Sequence, residues 1–202
     1  MRNLFILISL TFMLAAVSGA ANMSAGGGYY LVTTSTQEMG GAVIGFFQYD
    51  FQSWLGARGD LGYYSGGSYY KLDQGASEDT IEVNVTSLPY FGAHVLALVP
   101  LGEGGGLYFG PGVSYSSNSG EIKETEAVGG VSTTTSQDFS GSNLGLSILL
   151  GARAAINPGL YVFGDVLLWN SYQASYELED SNVKVSQNMN AMAFGIGVGT
   201  TF

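Results

Sequence analysis

The end of the chain alternates strictly between two kinds of side chain. From Asn190 to Phe202, even positions carry Met192, Phe194, Ile196, Val198, Thr200 and Phe202, and odd positions carry Ala191, Ala193, Gly195, Gly197, Gly199 and Thr201. Successive side chains of a strand leave on opposite faces, so this segment reads as a strand with one apolar face and one nearly bare face. No charge interrupts either. Lipid on one side, a crowded interior on the other and an aromatic at the interface fit that pattern.

Similar alternation, punctuated by turn residues, predicts eight strands near 26–35, 41–50, 54–65, 84–99, 106–117, 142–156, 160–172 and 187–202. Connections after the second, fourth and sixth are short: Phe51-Gln52-Ser53, then 100–105, then Asn157-Pro158-Gly159. In the last, Pro fixes φ and Gly permits positive φ. Connections after the third, fifth and seventh are long, at about 66–83, 118–141 and 173–186, and segment 130–137 reads as a mobile loop tip. Alternating short and long connections with an even strand count predict an all-β fold. Its form is an eight-stranded antiparallel up-and-down transmembrane β-barrel with both termini in the periplasm.

The first residues need separate treatment. Arg2, the apolar or hydroxyl run from Leu4 to Val17 and the small residues Ser18-Gly19-Ala20 read as a secretory signal peptide over 1–20, leaving a barrel domain over 21–202. No later segment is apolar for the roughly 18–20 residues a membrane helix needs, so membrane crossing falls to strands. With 31 Gly and 24 Tyr plus Phe, a tightly curved sheet is favoured over helices. The chain has no Cys, which excludes disulfides and thiol chemistry. Formal net charge is −10, so nucleic acid is not an expected partner.

Eleven of the sixteen acids fall in the three long connections, offset there only by Lys71, Lys123 and Lys184. Asp73, Glu78, Asp79, Glu121, Glu124 and Glu126 are candidate loop contacts for divalent cations, which would bridge to lipopolysaccharide phosphates. No resident metal or cofactor is expected.

Charges inside the predicted strands are few. Arg58 and Asp60 share one face, Arg153 lies opposite the apolar face of its strand, and so does Asp165. An Arg or Asp facing mid-membrane lipid is costly, so all four are assigned to the lumen as one polar cluster, with Gln48 a candidate neighbour. Such a cluster either plugs the lumen or gates an ion path. An eight-stranded barrel is only just wide enough for its own side chains, which favours the plug. His94 is the only histidine. No Ser lies two residues from it and no acid accompanies it in its strand, so it reads as structural rather than catalytic. Gly102-Glu103-Gly104-Gly105-Gly106 lacks the Lys and helix of a phosphate loop and reads as a turn. Pro89 predicts a bulge in its strand.

Two stretches, Trp54-Leu55-Gly56-Ala57-Arg58-Gly59-Asp60-Leu61-Gly62-Tyr63 and Leu107-Tyr108-Phe109-Gly110-Pro111-Gly112-Val113-Ser114-Tyr115, resemble the small eight-stranded outer-membrane β-barrel families of the OmpA, OmpX and Opacity type. The terminal strand closing on Phe202 resembles the C-terminal assembly signal of Gram-negative outer-membrane barrels. The resemblance implies an outer-membrane location, with outer-membrane lipid, lipopolysaccharide and the barrel assembly machinery as partners. It implies architecture rather than activity. The expected role is non-enzymatic, structural or surface-interacting, with acidic loops above a plugged lumen. Two alternatives stand: a narrow channel or transporter for ions or small apolar compounds, and a soluble secreted ligand-binding barrel.

Overall fold

A computed structural model describes residues 22–34, 37–65, 69–73, 80–102, 104–128, 131–171, 174–178, 184–187 and 190–202. The predicted signal segment 1–20, and Glu78 and Asp79, lie outside the described residues. Those residues form eleven strands: β1 (Asn22–Thr34), β2 (Gln37–Gln52), β3 (Leu55–Ser65), β4 (Tyr69–Asp73), β5 (Thr80–Pro100), β6 (Gly105–Val128), β7 (Val131–Asn157), β8 (Leu160–Ser171), β9 (Ala174–Leu178), β10 (Lys184–Gln187) and β11 (Asn190–Thr201). Among them no helix is long and apolar enough to cross a membrane.

Eight strands close a ring. Antiparallel pairing runs β1–β2–β3–β5–β6–β7–β8–β11 and returns to β1, where Tyr29 faces Ile196 and Gly28 faces Gly197. Closure removes every free edge within the ring, the one β arrangement that satisfies its backbone within lipid. The tight connections at 53–54 and 158–159, and the ends of β5 and β6 at Pro100 and Gly105, lie at the same end of the ring as Met23 and Phe202, where Thr201 N–H donates to Gly159 O and Phe202 N–H to Met23 O. Gly102, Gly104 and Gly159 take φ of 74°, 82° and 83°, conformations that side-chain-bearing residues resist.

The alternation read from β11 is borne out from Ala191 to Gly199 and lapses at Thr200 and Thr201, where the strand ends. Ile196 is 75% exposed while Ala193 is 0% exposed. Leu144, Leu146 and Ile148 of β7, and Val113 and Tyr115 of β6, continue the exposed apolar belt around the ring. An apolar belt of this extent is the surface a barrel offers to acyl chains. Trp54, Phe51 and Phe202 are exposed at the end with the short turns, and Tyr63 and Tyr115 toward the other. The soluble-barrel alternative has no use for such a belt.

At the far end the structure corrects the expectation from sequence. Segments 118–128 and 131–141 are not loop but the continuation of β6 and β7, paired without interruption from Asn118↔Gly141 to Val128↔Val131. The loop tip expected over 130–137 is therefore strand from Val131 onward. Its Thr- and Ser-rich run is polar enough to look like a loop, yet β-branched Thr suits a pleated ladder. Ser132 through Ser136 are exposed at every position, so this stretch stands clear of the barrel. Beside it, β4 pairs with β5, β9 with β7, and β10 with β9. An open sheet in the order β4–β5–β6–β7–β9–β10 thus rises from one side of the ring. The bulge expected near Pro89 falls three residues earlier in β5, at a register shift between Val85 and Ser87.

A closed ladder with no edge resists SDS until heated. Unboiled protein should therefore run at a different apparent size from boiled protein on SDS gels. Equal mobility in both lanes would be inconsistent with a closed ring.

Candidate functional site: the buried lumen network

The interior is filled by side chains from around the ring. Arg58, from β3, is central and 3% exposed. Its Nε donates to Asp60 Oδ1 at 2.8 Å, and its Nη2 donates to Asp165 Oδ2 of β8 at 2.8 Å and to Tyr30 Oη of β1 at 3.3 Å. Tyr30 Oη donates to Asp165 Oδ2 at 2.6 Å, and Tyr108 Oη of β6 donates to Asp165 Oδ1. The guanidinium also lies 3.9 Å from the ring centroid of Phe46 of β2, which packs edge-on against Phe163 of β8 at 5.1 Å. A buried cation is tolerable only when its donors are met and its charge is balanced, and here two carboxylates and a ring face do both.

The second arm of the network begins at Asp60. Its Oδ2 lies 3.0 Å from His94 Nδ1 of β5, and His94 Nε2 lies 3.0 Å from Ser147 Oγ of β7. A carboxylate only accepts, so the Nδ1–H donates to Asp60. Parity within one strand leaves His94 without partners; the structure supplies both from other strands. Register explains how. His94 is opposite Arg58 and also opposite Gly112, which is opposite Ser147. Asp60, two residues from Arg58, meets His94 diagonally. Gly112 is required: a Cβ there would collide with the His94 ring and the Ala93 carbonyl. Asp165 depends in the same way on Gly151, where a Cβ would strike both Asp165 and Tyr108.

Asp60, His94 and Ser147 are in the order of acid, base and hydroxyl found in hydrolase relays. All three are sealed, at 7%, 2% and 2% exposure.

Of the four residues assigned to the lumen cluster, the structure brings three together. Arg153 is the exception. Its face is as expected, but it lies nearer the terminal end, where Nη2 is 3.5 Å from Asp50 Oδ2 and its side chain is 26% exposed. Both oxygens of Asp165 are already occupied, and the Tyr161 and Phe163 rings are buried beside it. Gln48 belongs to this lower group too, donating from Nε2 to Asp50 Oδ1 at 2.7 Å. The bare face of β11 serves packing. Side chains at Gly195, Gly197 and Gly199 would overlap the rings of Tyr30, Phe163 and Tyr161 respectively.

The candidate cation contacts are scattered. Asp73 ends β4, while Glu121, Glu124 and Glu126 lie along β6, Glu121 on the opposite face from the other two. Glu121 is 3.3 Å from Lys123. Hydrogen bonds from Ser136 and from Lys123 hold its carboxyl below the ordinary carboxylate range. Among the described residues no group of three or more His, Cys, Asp or Glu is arranged to hold a metal. Phe202 is 73% exposed beside Met23 at the terminal rim.

A closed ring with an apolar exterior and an ion-paired, hydrogen-bonded interior defines a transmembrane β-barrel. The chain belongs to the Outer membrane protein beta-barrel domain family, matched over residues 4–202. Three solved structures share the fold. Neisserial surface protein A aligns at TM-score 0.57 and 15% identity, covering 90% of this chain and 97% of its own. A major outer membrane protein from Thermus thermophilus aligns at 0.58 and 18%, covering 91% and 100%. OprG from Pseudomonas aeruginosa aligns at 0.51 and 12%, covering 91% and 96%. By sequence the chain matches no curated protein.

Asp165→Ala would remove one of the two carboxylates from Arg58 and the acceptor of both the Tyr30 and Tyr108 hydroxyls, and should cost about 3–5 kcal/mol of folding stability, read by urea unfolding in lipid vesicles. Arg153→Ala removes a partly exposed pair and should cost under about 1 kcal/mol. Equal losses for the two would refute the layered arrangement.

Proposed function

We propose that this chain is a non-enzymatic outer-membrane barrel with a structural or surface-interaction role, set with both termini in the periplasm and the β4–β10 sheet outside the cell. The observation that carries this reading is a lumen closed by buried, mutually satisfied charges beneath a sheet that extends well past the apolar belt. Passage of solute would require Arg58, Asp60 and Asp165 to separate in a low-dielectric interior, which is costly. Catalysis at Asp60–His94–Ser147 would need a substrate to reach groups that the barrel seals. What remains accessible is the polar face of the extension, with Glu121, Lys123 and Asp138 exposed or half-buried on it. Divalent cations bridging the loop acids to lipopolysaccharide phosphates belong to the same reading.

Planar-bilayer recording of the purified protein tests the closed lumen. Wild type and Arg153→Ala should both lack discrete conductance steps; unitary steps in either would support the narrow-channel alternative instead. Protease added to intact cells tests the display. Cleavage within 118–141 with the barrel left intact is expected, whereas protection until the cells are opened would reverse the orientation.

A further inference from the structure

The ion pairs of the lumen leave a charge over. Among the described residues, the buried ionisable side chains other than tyrosines are Arg58, Asp60, His94 and Asp165. Arg58 supplies one positive charge, against a carboxylate on each of Asp60 and Asp165. Tyr30 and Tyr108 donate their hydroxyl protons to Asp165 and are therefore neutral. Arg153 and Asp50 pair with each other nearer the terminal end, which leaves the imbalance as it is. With a neutral imidazole at His94, one negative charge stays uncompensated in a low-dielectric interior, a costly arrangement.

The acids have no vacant place for a compensating proton. Asp165 Oδ2 receives Arg58 and Tyr30, and its Oδ1 receives Tyr108. Asp60 Oδ1 receives Arg58 Nε, and its Oδ2 receives His94 Nδ1–H. A proton on either acid would force one of these donors to turn away. His94 Nε2 is different. It lies 3.0 Å from Ser147 Oγ, and a hydroxyl rotates either to donate to a bare nitrogen or to accept from an N–H.

The groups around the ring permit a second proton. From β3, Arg58 stands directly opposite, with its Nε and Nη2 turned onto Asp60 and Asp165. From β6 the opposite residue is Gly112, and from β7 the contact is Ser147. On its own strand, a Cβ at Gly92 would crowd both the Tyr90 hydroxyl and His94 Cε1, so these two border one small gap. The Tyr90 hydroxyl has no hydrogen-bond partner and offers its oxygen to that edge of the ring.

We infer that His94 carries a proton on both ring nitrogens in the folded barrel. The lumen is then closed by an electroneutral quartet, Arg58 and His94 against Asp60 and Asp165, and the bound proton is a component of the plug. Hydrogen-bond geometry admits either state of Nε2; charge balance selects one. A proton held by the folded state stabilises it, and that stability is lost as pH rises through the point of release. The inference rests on the closed lumen proposed above and names what closes it.

His94 is the single histidine of the chain, so isotopic labelling of histidine gives one pair of ring-nitrogen signals in magnetic resonance. Wild type refolded into phosphatidylcholine vesicles at neutral pH should show two nitrogens of the N–H type. A bare-nitrogen signal from Nε2 in the folded protein would overturn the proposal, whatever the variants do. Asp165→Asn separates charge from contact. It removes one negative charge and keeps an oxygen for Arg58, Tyr30 and Tyr108, and Asp165 makes no hydrogen bond to His94. His94 should then lose the Nε2 proton at neutral pH and keep Nδ1–H on Asp60. Two N–H signals persisting in Asp165→Asn that retains the heat-dependent gel shift would overturn charge balance as the cause. In wild type, loss of the Nε2–H signal and loss of the unboiled gel band should come together as pH is raised. A band that outlasts the proton unchanged would overturn its part in the plug. The closed lumen itself fails separately, by unitary conductance steps in wild type at neutral pH.

Discussion

Everything in this barrel is arranged around two carboxylates sharing one guanidinium in a space too narrow for water to do the work. Eight strands enclose an interior that side chains must fill, and each polar atom placed there must find its partner within the protein. Arg58 binds Asp60 and Asp165, and through them the network reaches Tyr30, Tyr108, His94 and Ser147. These residues come from six different ring strands. Assembly of the ring and assembly of the network are therefore one event, and the glycines at 112 and 151 are the space that event requires.

The ring is legible in the sequence because period-two alternation decides which face meets lipid, and because a lipid-facing charge is so unfavourable that Arg58, Asp60 and Asp165 have only one place to go. What alternation does not encode is height along the barrel axis. Parity gives Arg153 the right face and the wrong layer for this reason; the pairing with Asp50 depends on how far β2 and β7 are staggered around the closed ring. His94 illustrates the same gap. Its acid and its hydroxyl come from strands thirty-four and fifty-three residues away, so no local spacing could reveal them. The available signals are weaker: a lumen-side Ser147, a lumen parity for His94, and a glycine at the one position between them.

The far end escapes a reading by hydropathy for a different reason. Polar, Thr-rich sequence resembles a loop on that scale, yet strand pairing depends on backbone ladders and not on apolar content. Once β6 and β7 are locked in register within the barrel, nothing in 118–141 stops the ladder from continuing to Val128 and Val131.

The register shift between Val85 and Ser87 has a consequence for how immersion depth is written into a strand. Below it, odd-numbered residues of β5 such as Phe91 and Val95 meet the lipid. Above it, Ile81, Val83 and Val85 pair with the lumen-side positions of β6 instead. One supernumerary residue takes the odd-numbered apolar residues Ile81, Val83 and Val85, which would otherwise have prolonged the greasy exterior upward, off the outer face, so the exterior ends. The waterline on this strand is thus drawn by a phase change in the pleat, and composition alone would have placed it several residues too high.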